Sequence, residues 1–397
     1  MRAIKYRELK RLYEGMGAEA ACRHLLEALT SQGGKAPALR PEDFSIRELA
    51  EVCMGDAWVK SLDPRRSENV MHVRESDGVD STAFSNITGQ IVYSKILQAY
   101  QNPAFWASQI VETIPTRLSG ERIPGMTQLK DEVDEVHEAM PYPRRGFGED
   151  YIDTPATVKR GEIVPVTKEA VFFDRTGLIL QRASAVGEVL GLNKEKRVLD
   201  VILGITNNYK WLGTDYNTYY ASGSNWINQF TEELVDWTDI DAAEKLFTAM
   251  VDPHTGEPIS INYADAALVV MPDKRHTARQ ILNATELRTT TESSAYQRVG
   301  PNTLTAYYLI DNTALAKARL VSGASLEAAA AAKYWFFGNF RKAFAYMENW
   351  PITVTQAPTN AEAEFERDIV AQYKASERGV AAVMDPRWVV RSTGAGS

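Results

Sequence analysis

The sequence predicts an α+β protein divided among two or three lobes. Three patterns predict it: a strong helical periodicity over residues 174–204, turn formers alternating with short β-prone runs over 120–168, and mixed helix and strand signals over 226–345. The chain has 397 residues, of which 44% are hydrophobic and 24% charged, so it is long enough to bury a core.

Charge, cysteine content and hydropathy exclude several functional classes. The net charge of −8 argues against a dedicated nucleic-acid-binding surface over the whole chain, although basic residues near the N-terminus leave a local patch open. Cys22 and Cys53 are too few for a disulfide framework and lack metal-ligand spacing. No stretch approaches the roughly 18 to 20 apolar residues of a membrane span, and no signal peptide is visible. We therefore expect synthesis in the cytosol and no membrane partner.

The first 82 residues predict a helical N-terminal extension. Seven apolar residues recur at helical spacing before Thr30: Leu9, Leu12, Tyr13, Met16, Leu25, Leu26 and Leu29. Ser45 and Glu48 form a capping box for a second helix, which Gly55 ends. After a polar stretch over 60–82, a short helical piece lies within residues 83–118.

Residues 120–168 predict a long two-stranded ribbon with little core of its own. Turn formers such as Gly125 and Pro141 alternate there with short β-prone runs such as 163–166. Because a bare two-stranded ribbon is marginally stable in water, we expect this one to lie on another chain.

The longest helix signal follows over residues 174–204. Asp174 can cap this helix, Gly204 suits its end, and Asn193 is an internal cap position at which it can restart. A turn-rich aromatic stretch then leads to a compact α/β lobe over residues 226–345.

Inside this lobe the signals alternate. Thr238 starts a helix that runs to Met250, residues 266–270 form a buried strand, and Pro272 leads a helix to Asn283. Six aromatic residues predict the lobe core: Trp335, Phe336, Phe337, Phe340, Phe344 and Tyr346.

The C-terminal region returns to strand signals. Residues 350–355 alternate between apolar and polar side chains, and Val380–Val383 and Trp388–Val390 predict the last strands, with Pro386 between them. Residues 365–375 fit a helical stripe and a period of two equally well, so the pattern leaves helix and strand open.

Several strings follow one another in a characteristic order: AFSNITGQ (83–90), GFGEDY (146–151), KRGEIVPVTKE (159–169), FDRTGLI (173–179), and the C-terminal pieces 338–340 and 365–391. In this order and spacing they resemble the major capsid proteins of tailed bacteriophages and prophages. The resemblance implies the Hong Kong 97-like capsid fold, and it favours strand for residues 365–375.

The resemblance also implies a division of the chain. The expected parts are an N-terminal helical extension and arm (1–82), an arm leading into the peripheral domain (83–119), an extended loop (120–172), a peripheral domain with a spine helix (173–225), an axial domain (226–345), and returning peripheral strands with the C-terminus (346–397).

The implied function is a major capsid protein that self-assembles, as hexamers and pentamers, into an icosahedral shell around phage double-stranded DNA. The implied partners are further copies, a portal, and scaffolding or decoration proteins; the implied location is the virion, after assembly in the host bacterial cytoplasm. One alternative is an encapsulin-like compartment, and another is a metal-dependent hydrolase.

An acidic run is the strongest cluster of chemical groups in the sequence. It consists of Asp131, Glu132, Asp134, Glu135, His137 and Glu138. A metal site would need two or three of these to converge with a further ligand from elsewhere. We interpret the run as a partner-facing ribbon, because charge runs are usually solvated, with Arg144, Arg145, Lys159 and Arg160 as complements across a subunit boundary. We predict no catalytic, cofactor-binding or metal-binding residue.

Relatives of the resembled family that cross-link their subunits suggest a further alternative. Such a link joins a Lys to an Asn; Lys130, Lys159 or Lys168 and Asn349 or Asn360 are candidates here, against the simpler reading of surface lysines and turn asparagines.

Overall fold

The computed structural model describes residues 77–125, 136–137, 150–173, 175–224, 226–252, 256, 258, 265–289, 298–357 and 368–395, together with residues 15 and 45. The chain divides into two compact units. The first consists of residues 1–103, 159–193 and 350–378, and the second of 104–158, 194–349 and 379–397.

The described helices, in chain order, are α1 (Asp77–Tyr100), α2 (Ala107–Ile110), α3 (Lys168–Phe172), α4 (Thr176–Ile202), α5 (Trp237–Thr248), α6 (Arg275–Asn283), α7 (Ala314–Gly323), α8 (Ala328–Ala331) and α9 (Phe340–Ala343). The described strands are β1 (Glu112–Pro115), β2 (Arg122–Pro124), β3 (Tyr151–Asp153), β4 (Val158–Thr167), β5 (Tyr209–Trp211), β6 (Thr214–Tyr216), β7 (Gln229–Phe230), β8 (Ala267–Val270), β9 (Glu286–Thr289), β10 (Arg298–Pro301), β11 (Tyr308–Ile310), β12 (Trp335–Gly338), β13 (Phe344–Gln356), β14 (Ile369–Val383) and β15 (Val389–Ser392).

The first unit packs α1 and the first part of α4 with a sheet in which β14 lies between β13 and β4. Two glycines permit close contacts. A Cβ on Gly161 would lie 2.5 Å from the carbonyl oxygen of Ala375, and a Cβ on Gly187 would lie 2.3 Å from that of Ile96. β4 and β14, and likewise α1 and α4, therefore approach each other at backbone distance.

The second unit is built on a five-stranded sheet in the order β11-β8-β12-β15-β7. All four residues of its central strand β12 are buried, and β12 pairs antiparallel with both β8 and β15. Helix α5 packs on this sheet through Phe247, whose ring lies 5.9 Å from that of Phe337. A second sheet has the order β2-β3-β5-β6, and β9 pairs with β10. The predicted aromatic core of the lobe is confirmed, since its six residues are at most 2% exposed.

The long helix is confirmed, with one correction. It runs without a break from Thr176 to Ile202, so the restart at Asn193 is wrong, and Gly204 follows it with φ of +70°, as expected of a helix terminator. Asp174, the predicted cap, lies outside the described residues, as do the predicted helices before residue 77.

Helix α5 corrects a second prediction. Its N-cap is Asp236 rather than Thr238: the Asp236 carboxylate accepts from the Thr238 N–H, and the Asp239 side chain accepts from the Asp236 N–H in a capping box. Either residue type suits a cap, and sequence alone did not separate them because they stand two positions apart.

The open choice at the C-terminus is settled as strand. β14 is continuous from Ile369, and side chains at 371, 373 and 375 are buried, which is a period of two. Residues 365–367 lie outside the described part.

The ends of the predicted ribbon differ from expectation. β2 pairs with β3 in the register Arg122 to Asp153, and Ile152 pairs with Trp211 of β5. β4 lies beside β14. Both ends of the predicted ribbon therefore belong to sheets of their own chain. Ile152 of β3 and Val164 of β4 are buried in these sheets. Most of the middle, 126–149, lies outside the described residues.

Candidate assembly surfaces

The predicted contact residues fall into two groups. Asp131, Glu132, Asp134, Glu135, Glu138, Arg144 and Arg145 lie outside the described residues, whereas His137 is exposed. The cations Lys159 and Arg160 are described. Lys159 is exposed and Arg160 half-buried, both in the first half of β4. Two of the eight predicted contact residues, Lys159 and Arg160, thus lie in the accessible half of a strand, and contact with another subunit stays a prediction for all eight.

Strand β4 is an edge of the sheet in the first unit. Its ten residues have β14 on one side, and no described strand lies on the other. The first six residues are exposed or half-buried, and Ile163 is 57% exposed. A long edge with exposed apolar side chains is a template for pairing with another chain.

A cleft lies between α1 and the sheet of the first unit. It has a volume of about 360 Å³, and its lining is Gly89, Tyr93, Ile352, Thr353, Val354, Gln356 and Tyr373. Gly89 and Tyr93 belong to α1, and a Cβ on Gly89 would lie 3.0 Å from the Tyr373 ring of β14, so α1 covers this part of the sheet.

Exposed apolar side chains occur in both units. In the first, Phe173 is 61% exposed; its ring meets that of Phe172 edge-on, and the Arg175 guanidinium lies 5.5 Å from its centroid. In the second, Tyr308 on the short edge strand β11 is 68% exposed. Large aromatic rings held in the open in this way are typical of protein interfaces.

Glu195 fixes a segment of the second unit. Its carboxylate is 1% exposed and accepts from the backbone N–H groups of Ala107 (2.7 Å) and Ser108 (2.8 Å) at the start of α2. Burial raises the pKa of this carboxyl, while the donated hydrogen bonds act in the opposite direction. The side chain thus connects α4 to the segment that leads into β1.

Two donors hold the end of α4. The Tyr219 hydroxyl donates to the Ile202 carbonyl (2.6 Å), and the Arg391 guanidinium donates to the Leu203 carbonyl (3.0 Å) and lies 4.3 Å from the Tyr219 ring centroid. Burial lowers the pKa of Arg391 and raises that of the Tyr219 hydroxyl. A cation at a helix C-terminus is favourable, so Arg391 stabilises this end of α4.

Ion pairs cover the second unit and include a buried pair. Arg387, whose side chain is 3% exposed, forms a forked pair with Asp385 and lies 3.7 Å from buried Asp252. Near the surface, Glu233 binds both Lys274 (2.5 Å) and Lys333 (2.8 Å). Hydrogen bonds from these two ammonium groups lower the pKa of Glu233 to about 2.

The described cross-linking candidates each have a local structural contact. Lys168 lies 3.8 Å from Asp368, and the Asn349 amide donates to the carbonyls of Thr116 and Leu118, both at 3.0 Å. Lys159 is exposed, and Lys130 and Asn360 lie outside the described residues. A covalent link between subunits thus stays a hypothesis.

Neither metal-ligand clusters nor membrane spans occur in the described part of the chain. No three His, Cys, Asp or Glu side chains are placed there to hold an ion, and no helix is long and apolar enough to cross a bilayer.

The family model described as "Phage capsid protein" matches residues 151–392, well over half of the chain. The chain belongs to the phage capsid protein family. This confirms the predicted family and the α+β capsid fold class, and it makes the protein a phage major capsid protein and a component of the virion. The match does not support the encapsulin-like or hydrolase alternatives.

Solved structures similar to this capsid protein are distant in sequence. The capsid of an empty GTA particle is 14% identical, with 73% of this chain and 90% of that one covered and a TM-score of 0.41. A structure from Mycobacterium phage Bobi is 14% identical, with 73% of this chain and 90% of that one covered and a TM-score of 0.39. A virus-like particle from Pyrococcus furiosus is 9% identical, with 75% and 97% covered and a TM-score of 0.34. The family assignment therefore rests on the match over 151–392. No curated protein matches the chain.

Sequence reasoning missed several residues of the capsid protein that position its surfaces. Glu195 stands in the charged string Asn193 to Arg197, which favours a solvated face. Its spacing of four from Gly191 and three from Val198, both buried, was the signal that it belongs to the inner side of α4. Arg391 had no such signal, because its partners lie far away in the chain.

Proposed function

We propose that this capsid protein assembles as hexamers and pentamers into an icosahedral shell that encloses double-stranded DNA. The carrying observation is the family match over residues 151–392. Shells of this kind need contacts in which different surfaces of identical copies meet, since such head-to-tail contacts generate rings. Assembly takes place in the host cytoplasm, with a portal supplied by another protein and scaffolding or decoration proteins as further partners.

Each predicted domain has its own role in assembly. Residues 226–345 form the axial domain at the centre of each ring, which agrees with the second unit having its own buried sheet. Residues 126–149 form the tip of an extended loop that reaches a neighbouring copy. Support for this comes from β2 and β3, which pair with each other at either end of that segment and so form the base of a hairpin.

The charged contact residues are assigned to boundaries between copies. The acidic residues Asp131, Glu132, Asp134 and Glu135 lie near the loop tip, and the cations Arg144, Arg145, Lys159 and Arg160 include two on the exposed part of β4. Opposite charges across a boundary fix register and speed association.

Electron microscopy of the purified protein tests the proposal. Expressed alone or with its scaffold, the protein should appear as rings or closed shells. A protein that stays monomeric at high concentration in both conditions contradicts the proposal. A variant lacking residues 1–43 shows whether the N-terminal segment is required for assembly.

A further inference from the structure

The five-stranded sheet of the second unit ends in two different surfaces, and both carry exposed apolar side chains. Its outer strands β11 and β7 have three and two residues. They lie at opposite edges, about 19 Å apart across four strand spacings. Strands this short offer little backbone for pairing with another chain. A contact at either edge therefore depends on the side chains around it.

The first surface, which we call the β11 surface, lies where the chain passes from β10 to the end of β11. Val299, Ala306 and Tyr308 are exposed there, and Tyr308 has 68% of its surface in solvent. The sequence from 299 to 310 contains no charged residue. Interfaces are depleted of charge at their centre and enriched in Tyr, so this stretch suits the centre of a contact.

A positive rim borders the β11 surface. Asp311 follows β11 directly, and its carboxylate accepts from the guanidinium groups of Arg275 (3.0 Å) and Arg279 (2.7 Å) at the start of α6. Both guanidinium groups are nearly half exposed, whereas the Asp311 carboxylate is largely buried. Two cations share one carboxylate, so this rim has an excess of positive charge.

The second surface, which we call the β7 surface, is formed by the residues on either side of β7. Ile227 is exposed before the strand, and Val235, which is 65% exposed, comes after it. Glu232 and Asp236 are exposed carboxylates in the same segment. This surface thus also places apolar side chains beside charged ones, but its exposed charges are negative.

The β7 surface stays negative when the neighbouring cations are counted. Glu233, next to Glu232, binds both Lys274 and Lys333. Half-buried Asp239 adds a further carboxylate, which accepts from backbone N–H groups of the same segment. With the two exposed carboxylates, four carboxylates face two ammonium groups among these residues.

We propose that the β11 surface of one copy packs against the β7 surface of the next copy. The occupant is thus a second copy of this chain, and the inference deepens the proposed function, on which it rests, by naming a contact within its rings. The two surfaces cannot meet within one copy, because the sheet holds them at opposite edges. A contact between unlike surfaces of identical copies repeats head to tail and can close into a ring. The apolar side chains meet at its centre, and the opposite charges fix its register.

Two charge-reversed variants test the contact, each altered on one surface only. Arg279→Glu reverses the net charge of the β11 rim and leaves Arg275 in place. Thr231→Lys, Glu232→Lys and Asp236→Asn together reverse the charge of the β7 surface, and Asn caps the start of α5 as well as Asp does. Each variant alone should give about tenfold fewer rings or shells in electron micrographs, because like charges then face each other across the contact.

A mixture of the two variants separates a contact between copies from damage inside one copy. In a ring of six the variants can alternate, so that every boundary again joins opposite charges, and most of the lost yield should return. A variant that fails because it is misfolded cannot be rescued in this way. Variants that assemble normally alone, or that fail together as they fail alone, overturn the inference and leave the proposed function standing. Failure of the unmodified chain to form particles counts instead against the proposed function.

Matched controls reverse exposed charges outside both surfaces. Arg182→Glu and Glu188→Lys change exposed positions on α4 in the first unit, and each should assemble like the wild type. Equal losses in these controls and in the surface variants contradict the inference. Circular dichroism and urea unfolding of unassembled subunits confirm that every variant folds.

Tyr308→Ala tests the apolar centre of the contact without any change of charge. It should raise the protein concentration needed for assembly about tenfold, as the loss of an aromatic anchor at an interface does, while the urea midpoint of unassembled subunits stays unchanged. Val189→Ala, at an exposed apolar position on α4, is the control and should assemble like the wild type. Equal assembly of Tyr308→Ala and the wild type overturns the contact.

Discussion

The sheets of the two units differ in the length and exposure of their edge strands. In the second unit the five-stranded sheet ends in strands of three and two residues, β11 and β7, while its centre is fully buried. In the first unit β4 is an edge of ten residues, and its first half is accessible. Short edges limit pairing with other chains, whereas a long accessible edge invites it. The sheet of the second unit is thus built for its own stability, and that of the first keeps an edge for assembly.

The largest expected effect contrasts a central residue of one sheet with an edge residue of the other. Trp335→Ala in β12 should lower the free energy of unfolding by about 3–5 kcal/mol, because it leaves a large cavity in a closed core. Ile163→Ala in β4 should change it by about 0.5 kcal/mol or less, as surface substitutions do. Urea unfolding of unassembled subunits measures both. If both substitutions lowered the free energy of unfolding by similar amounts, the proposed difference between the two sheets would be wrong.

A smaller loss of stability is expected when the Glu195 carboxylate, which accepts hydrogen bonds from the start of α2, is replaced. Glu195→Gln should cost about 1–3 kcal/mol, because the amide cannot accept from both buried N–H groups and leaves one unsatisfied. Glu188→Gln, on an exposed position of the same helix, is the matched control and should be neutral. The same denaturation series applies. Equal stability of the two variants would show that Glu195 does not fix the segment before β1.

A still smaller loss of stability is expected when a hydrogen bond at the C-terminal end of α4 is removed. Tyr219→Phe removes one hydroxyl and its hydrogen bond to Ile202, which should cost about 1 kcal/mol. Tyr308→Phe, which alters an exposed ring, serves as the control and should leave the urea midpoint unchanged. If both variants unfold at the wild-type midpoint, the hydroxyl contributes nothing to the helix end.

The smallest expected effect is the change with pH in the stability that Glu233 contributes. The pKa of Glu233 is lowered to about 2 in the folded protein, against about 4.3 in an unfolded chain. A lowered pKa means that the stabilisation is complete above the unfolded value and is lost as the pH falls from about 4.3 towards 2. The stability difference between the wild type and Glu233→Gln should therefore shrink over that range. A difference that stays constant from pH 7 to pH 2.5 would contradict it.

Local patterns predicted the parts of this fold that depend on neighbouring residues. The helix Thr176–Ile202 was predictable because its apolar residues recur at helical spacing over its whole length. The pairing of β3 with β5 had no such signal, since Ile152 and Trp211 are each in a three-residue strand and meet only in the folded chain.

The position of the predicted contact residues in the sheet could not be read from the sequence. Charge alone predicts Lys159 and Arg160 as contact residues, and the structure has both in the first half of β4, where Lys159 is exposed and Arg160 half-buried. That this strand is an edge depends on its position beside β14 and beyond β13, although β4 is about 200 residues away from these two strands in the chain. Sequence order carries no signal for such a neighbour relation.

The contact at Gly187 sets how closely two helices of the first unit can pack. α1 and α4 meet there at backbone distance, because a Cβ at position 187 would lie 2.3 Å from the Ile96 carbonyl oxygen. Any residue other than glycine at this position would push the two backbones apart and loosen the packing around Ile96, which is fully buried.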